Sequence, residues 1–262
     1  MTREDQMQAQ LTEALSKVPA VTLGFWVIKV LATTLGETGA DLFTQQYKLG
    51  YVIGLAIFVP PLALLVWSQI VSRKFNPLLY WGTILASTTA GTALADFLGK
   101  KQADGALELS LAANTVILLS CVLLSLVVWK RSLGTISVTS VREPKAEMFY
   151  WVTITFSQTL GTALGDWVSD DTPLGYLGAA AVFGAMLGVL ALLYWKTAIS
   201  RVALFWAAFI LTRPLGATVG DFLDKPLAKG GLDLGRDMAT LVLVVAIALC
   251  LWCIPQRAGS AH

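Results

Sequence analysis

Histidine is nearly absent from this chain, the one copy being the terminal His262. That removes most imidazole acid–base catalysis and most His-ligated metal sites. Cysteine is scarce as well. Cys121, Cys250 and Cys253 cannot staple a disulfide scaffold. Cys250 and Cys253 form a C-x-x-C at the end of the last apolar run, and with no second pair or histidine nearby core packing is the better reading. Charge is thin too, at 14% of residues, where soluble domains carry roughly 25%. The 19 basic and 17 acidic residues leave a net +2 with no basic stripe, which excludes a nucleic-acid binder. No apolar core follows Arg3, Glu4, Asp5, Glu13 and Lys17 in the first twenty residues, so they do not read as a signal peptide.

What remains is apolar. Hydrophobic residues make up 56% of the chain, with 9 Trp, 11 Phe and 6 Tyr, which excludes disorder and points to lipid. Eight apolar stretches can be cut out, at 21–43, 49–67, 78–98, 107–129, 148–168, 174–195, 202–223 and 234–254. Each is near the ~20 residues a helix needs to cross the hydrocarbon core. Backbone groups in lipid must pair within the segment, so helices are expected, and the alternating pattern of a β-barrel is missing.

The odd stretches repeat one pattern. Phe25-Trp26 leads to Gly36 and Asp41, Tyr80-Trp81 to Gly91 and Asp96, Tyr150-Trp151 to Gly161 and Asp166, and Phe205-Trp206 to Gly216 and Asp221. In all four the Trp precedes the Asp by 15 residues and the Gly precedes it by 5. The even stretches end at Trp67, Trp129, Trp195 and Trp252. The expected fold is therefore an all-α membrane protein: eight transmembrane helices as four parallel two-helix repeats, pseudo-symmetric about the membrane normal. The chain divides into a leader (1–20), repeats at 21–68 and 78–129, a loop (130–147), repeats at 148–195 and 202–254, and a tail (255–262). The leader reads equally as a short amphipathic helix from Leu11 through Val18 or as an irregular segment. The eight Trp, with Trp26, Trp81, Trp151 and Trp206 opening the repeats, read as interfacial anchors. Eleven basic residues fall on the side of both termini and five or six on the other, which places both termini in the cytoplasm of a bacterial inner membrane.

Chemistry concentrates on the odd helices. Fifteen helical residues rise about 22 Å, so the four Asp share one depth beyond the Trp. Four residues before each Asp, on the same face, stand Glu37, Thr92, Thr162 and Ala217; eight before stand Thr33, Thr88, Gln158 and Arg213. Oxygen ligands without Cys, His or Met suit hard cations or protons. Within these helices Glu37 and the four Asp oppose only Lys29 and Arg213, and a bound cation or protons are expected to balance the excess. Lys29, three residues past Trp26, is expected to snorkel to the interface. Arg213 is expected to pair with Glu37 or a motif Asp, and Pro214 to kink its helix. Bland roles compete with these: the Gly residues suit close helix packing, and membrane Thr often bonds its own backbone.

The stretch from Lys17-Val18-Pro19-Ala20-Val21-Thr22 into Phe25-Trp26-Val27-Ile28-Lys29-Val30-Leu31-Ala32-Thr33-Thr34-Leu35-Gly36-Glu37-Thr38 resembles bacterial membrane-anchored proteins built from four tandem two-helix repeats of unknown function. The resemblance runs from about Lys17 to Trp252 and implies eight membrane helices in the inner membrane, without an activity. Gly36-Glu37-Thr38 is also similar, more weakly, to short acidic motifs of exporters of Mn²⁺ or Ca²⁺; the fourth repeat departs from it with Ala217 and Arg213.

The favoured reading is a secondary transporter or exporter of a hard divalent cation, Mn²⁺ first, coupled to protons. Glu37, Asp41, Asp96, Asp166 and Asp221 would bind the ion or the exchanged proton, with Thr92 and Thr162 assisting and Arg213 as charge partner. No tightly bound cofactor is expected. The partners are the bilayer, the metal cation and protons, with room for an oligomer. A cation or proton channel or sensor is the alternative. An intramembrane aspartyl enzyme fits less well, because Thr218 and Ala163 stand where its motif needs glycine.

Overall fold

A computed structural model describes residues 17–72, 74–102 and 105–259. Most of the expected leader, with Arg3 and the stretch from Leu11, lies outside the described residues, as do Arg73, Asp104 and His262.

Among the described residues eight long α-helices run: α1 (Leu23–Asp41), α2 (Gly50–Val71), α3 (Pro77–Gly99), α4 (Leu111–Leu133), α5 (Pro144–Asp170), α6 (Gly175–Lys196), α7 (Arg201–Asp224) and α8 (Arg236–Cys253). Their starts are written locally. Thr22, Asn76, Ser110 and Ser200 each accept a hydrogen bond from the backbone N–H three residues on, satisfying one of the orphan donors of a helix N-terminus. Pro77 and Pro144 occupy first-turn positions, where a missing N–H costs nothing. Gly134, at φ 76°, ends α4 in the left-handed conformation that a side chain resists. Among the described residues the only β-pairing is the isolated bridge between Pro19 and Ala258.

The odd helices α1, α3, α5 and α7 form an inner ring: α1 packs on α3, α3 on α5, α5 on α7, and α7 back on α1. The even helices lie outside it. Each was expected to hairpin against its own odd helix. Instead α2 packs chiefly on α3, α4 on α5, α6 on α7 and α8 on α1, the inner helix of the following repeat. Every repeat is thereby clasped to the next, and the last closes on the first.

The packing rule behind the ring is one residue per repeat. A Cβ on Gly36 would overlap the Thr88 side chain, one on Gly161 that of Arg213, and one on Gly216 that of Thr33; one on Gly91 would come 2.9 Å from Gln158 Cβ. The motif glycine of each repeat thus admits the residue eight before the Asp of the next, around the full circle. Close approach through small residues is how membrane helices gain van der Waals contact without a hydrophobic drive.

Five helices, α2, α4, α6, α7 and α8, are long and apolar enough to span a membrane by composition alone. The other three odd helices are too polar to qualify; like α7, they are shielded by the outer set.

Candidate functional site

Every fourth residue of the inner helices faces the ring's axis, so the axis is built in layers. The first, at the end where the inner helices begin, is aromatic: Phe25, Tyr80, Tyr150 and Phe205. The Tyr80 and Tyr150 hydroxyls meet at 2.6 Å. The Trp beside each packs on the aromatic of the preceding repeat: Trp81 on Phe25 at 5.4 Å, Trp151 on Tyr80 at 5.7 Å, Trp206 on Tyr150 at 6.3 Å and Trp26 on Phe205 at 5.7 Å between ring centres. This interlock explains why an aromatic stands before every Trp. It also corrects the reading of these Trp as interfacial anchors. Trp81, Trp151 and Trp206 are buried, and the indole N–H groups of Trp81 and Trp206 donate to Gln256 and to the Ile136 carbonyl. Trp26 is half-buried. Of the Trp that end the even stretches, Trp67, Trp195 and Trp252 are outward, while Trp129 is buried against Trp206.

Next comes Lys29, which does not snorkel. It is fully buried, its ammonium 4.2 Å from the centre of the Phe209 ring and 3.4 Å from Gln158 Oε1.

Deeper still, Arg213 occupies the centre. It too is fully buried. Its guanidinium donates to Glu37 Oε2 at 3.0 Å, to Thr162 Oγ1 at 2.6 Å, to Thr92 Oγ1, and to the Thr33 carbonyl at 3.3 Å. Glu37, Thr92, Thr162 and Arg213 thus come together from four different repeats, and the expected pairing of Arg213 with Glu37 is met. A buried charge needs such partners, because desolvation is otherwise uncompensated. The other threonines bond mainly to backbone: Thr34 to the Val30 carbonyl, Thr159 to that of Thr155 and Thr218 to that of Pro214. α7 runs through Pro214 without ending.

The last layer holds the four motif aspartates, all buried. Lys100 Nζ lies 2.8 Å from Asp166 Oδ2 and 3.6 Å from Asp96 Oδ1. Lys225 Nζ lies 2.8 Å from Asp41 Oδ2 and 2.9 Å from Asp221 Oδ1. Arg236 adds contacts to Asp41 at 3.5 Å and to Asp224 at 3.0 Å. Burial alone would lower both ammonium groups. The surrounding carboxylates, Asp166 and Asp96 for Lys100 and Asp221, Asp41 and Asp224 for Lys225, hold them well above their ordinary value instead. Carboxylate oxygens of Glu37, Asp166 and Asp221 all lie within 4.8 Å of one another, an arrangement able to hold a metal ion. Asp41 Oδ1 and Asp96 Oδ2 are buried without a hydrogen-bond partner.

The structure changes the charge reckoning. The excess of acid within the odd helices is met largely by Lys100, Lys225 and Arg236, which fold back from the ends of those helices and the start of α8. With Asp224 included, six carboxylates face four cations, Lys100, Arg213, Lys225 and Arg236. Sequence reasoning does not single out these lysines. The signal that finds them is their place: each stands four residues after a motif Asp, where a helical turn returns it to the same face. Cys250 and Cys253 are free, and only Cys253 is exposed.

A closed ring of four helical repeats, wrapped by four lipid-compatible helices around a polar axis, defines a multi-pass helical membrane protein with internal four-fold repetition. The Repeat of Unknown Function family (DUF347) matches residues 24–75, 79–135, 149–200 and 204–257, and the chain belongs to it. No curated protein and no solved structure matches the chain.

Proposed function

We propose that this protein is a proton-coupled secondary carrier that exports a hard divalent cation, Mn²⁺ foremost, across the bacterial inner membrane, with both termini in the cytoplasm. The observation that carries the reading is the buried convergence of Glu37, Asp166 and Asp221 from three repeats. Three carboxylates with Thr92 and Thr162 beside them form a donor set of oxygen alone, which suits Mn²⁺, Mg²⁺ or Ca²⁺ and not a soft metal. Arg213 holds Glu37 in place and competes with the ion for it. Asp41 and Asp96 complete the ring through Lys225 and Lys100. Carboxylates at this depth are costly to retain without a task, which supports transport over a packing role.

A cation or proton channel is the second reading. The aromatic layer of Phe25, Tyr80, Tyr150 and Phe205, closed by the Tyr80–Tyr150 hydrogen bond, favours a carrier over a standing pore. Steady single-channel conductance from the intact protein in planar bilayers would reverse that preference.

The test is Mn²⁺ flux in proteoliposomes under an imposed pH gradient. Wild type moves Mn²⁺, and Asp166→Asn and Asp221→Asn abolish the flux while keeping the wild-type elution profile. In cells, Asp41→Asn or Asp96→Asn raises Mn²⁺ content and lowers Mn²⁺ tolerance. Flux, content and tolerance unchanged across a metal panel sink the proposal.

A further inference from the structure

We infer that Lys100 and Lys225 are tethered surrogate cations: their ammonium groups fill the aspartate ring, and the divalent ion binds by displacing them. The inference rests on the carrier reading above and specifies how its site is kept filled between turnovers.

Each ammonium bridges two neighbouring repeats. Lys100 joins Asp96 of the second to Asp166 of the third, and Lys225 joins Asp221 of the fourth to Asp41 of the first. The two lysines stand at equivalent places, just past the ends of α3 and α7. The connections that follow are also alike. Leu107 and Leu109 bond back to Phe97 and Leu98, as Leu232 and Leu234 bond back to Phe222 and Leu223. Repeats 1 and 3 have Gln45 and Asp170 at that register and shorter connections. The ring therefore carries one lysine per half, a two-fold feature laid over the four-fold one.

Three observations separate these lysines from structural ion pairs. First, they have a way out. The Lys100 side chain is 28% exposed and that of Lys225 13%, whereas their aspartates are 2–7% exposed. Arg213, by contrast, is sealed at 0%. Second, they leave the ring incompletely satisfied. Asp41 Oδ1 and Asp96 Oδ2 are buried without partners even with the lysines in place, and such oxygens suit a ligand of higher coordination number than an ammonium. Third, the charges match. Two ammonium groups leaving as one divalent ion arrives keeps the ring's net charge constant, so the exchange avoids burying uncompensated charge at any stage.

The experiment is equilibrium Mn²⁺ binding to the full-length purified protein, measured for wild type, Lys100→Met, Lys225→Met, the double variant and Asp166→Asn. Removing a competing cation tightens Mn²⁺ binding, about tenfold for each single variant and more for the double, within the roughly 5–150-fold range of ordinary site coupling. In parallel, mass spectrometry follows labelling of Lys100 and Lys225 in the wild type by an amine-reactive reagent, and saturating Mn²⁺ accelerates it. This second readout stands even where the methionine variants fail to fold. If wild type binds Mn²⁺ and Asp166→Asn does not, yet the lysine variants bind as wild type and labelling ignores Mn²⁺, the displacement idea falls and the carrier reading survives. If neither wild type nor any lysine variant binds Mn²⁺, both fall.

Discussion

The inner and outer helices of this protein obey opposite rules. Between 11 and 22% of the apolar spans of α2, α4, α6 and α8 is buried, and their outward faces carry Leu, Val and Ile for lipid. The inner helices bury Lys29, Glu37, Arg213 and the four motif aspartates. Hydropathy alone finds the outer set and, of the inner helices, α7, and misses α1, α3 and α5, since a helix shielded from lipid by its neighbours need not be apolar. Division of labour follows from this. The outer helices solve solvation by the bilayer, which leaves the inner ring free to hold charge, provided each charge finds a partner inside.

If that contrast is right, the largest penalties fall on the axis. Arg213→Met removes the guanidinium that neutralises Glu37 and satisfies Thr92 and Thr162, leaving a buried carboxylate unpaired. Breaking a buried pair from one side costs about 3–5 kcal/mol, so the melting temperature in detergent should fall steeply. Adding Glu37→Gln to the same chain should recover a good part of the loss. A single variant that melts like wild type would mean that the axis tolerates bare charge, and the comparison would fail. A smaller effect sharpens it. Gly161→Ala places a methyl group inside the space of the Arg213 stem, whereas Gly184 on α6 has open surroundings. Overpacking at position 161 should cost about 1–3 kcal/mol, while Gly184→Ala should stabilise by about 0.5–1 kcal/mol, the ordinary helix preference of Ala over Gly. Equal shifts at the two sites would show that the ring is not tightly packed at its glycines.

Much of this was legible because repetition amplifies weak signals. The four copies of Trp, Gly and Asp at fixed spacing gave the helix count, the parallel repeats and the depth of the aspartates. The four-residue step gave the shared face of each inner helix, while Arg213 was expected to pair with Glu37 or a motif Asp and pairs with Glu37. What stayed hidden depends on how one repeat meets another. Spacing within a helix cannot reveal that an outer helix crosses to the next repeat, or that the glycine at position 36 receives the side chain of Thr88. The same blindness turned Trp81, Trp151 and Trp206 toward lipid on paper, when their partners are the aromatics of the preceding repeat. The roles of Lys100 and Lys225 stayed hidden because a charge just past a helix end reads as solvated unless the register of the carboxylate one turn earlier is followed through.

Lys29 provides the finest test of the contrast, because it is the one inner charge that the ring scarcely serves. Its ammonium has a single weak acceptor in Gln158 and the face of Phe209, and among the described residues no carboxylate lies within ion-pair distance. Replacing a buried, poorly paired charge with an apolar side chain of similar length is commonly neutral or stabilising. Lys29→Met is therefore expected to melt at or slightly above the wild-type temperature, the opposite of Arg213→Met one helical turn along the axis. Mn²⁺ flux measured on the same preparation then separates the two reasons for keeping an amine there. Lost flux with intact stability assigns Lys29 to the transport cycle, where a charge between the tyrosine layer and Arg213 can take part in coupling. Intact flux leaves it as a residue that the fold merely tolerates. A fall in melting temperature as deep as that of Arg213→Met would show instead that Lys29 is as firmly partnered as the arginine, and the distinction between served and unserved charge within the ring would have to be withdrawn.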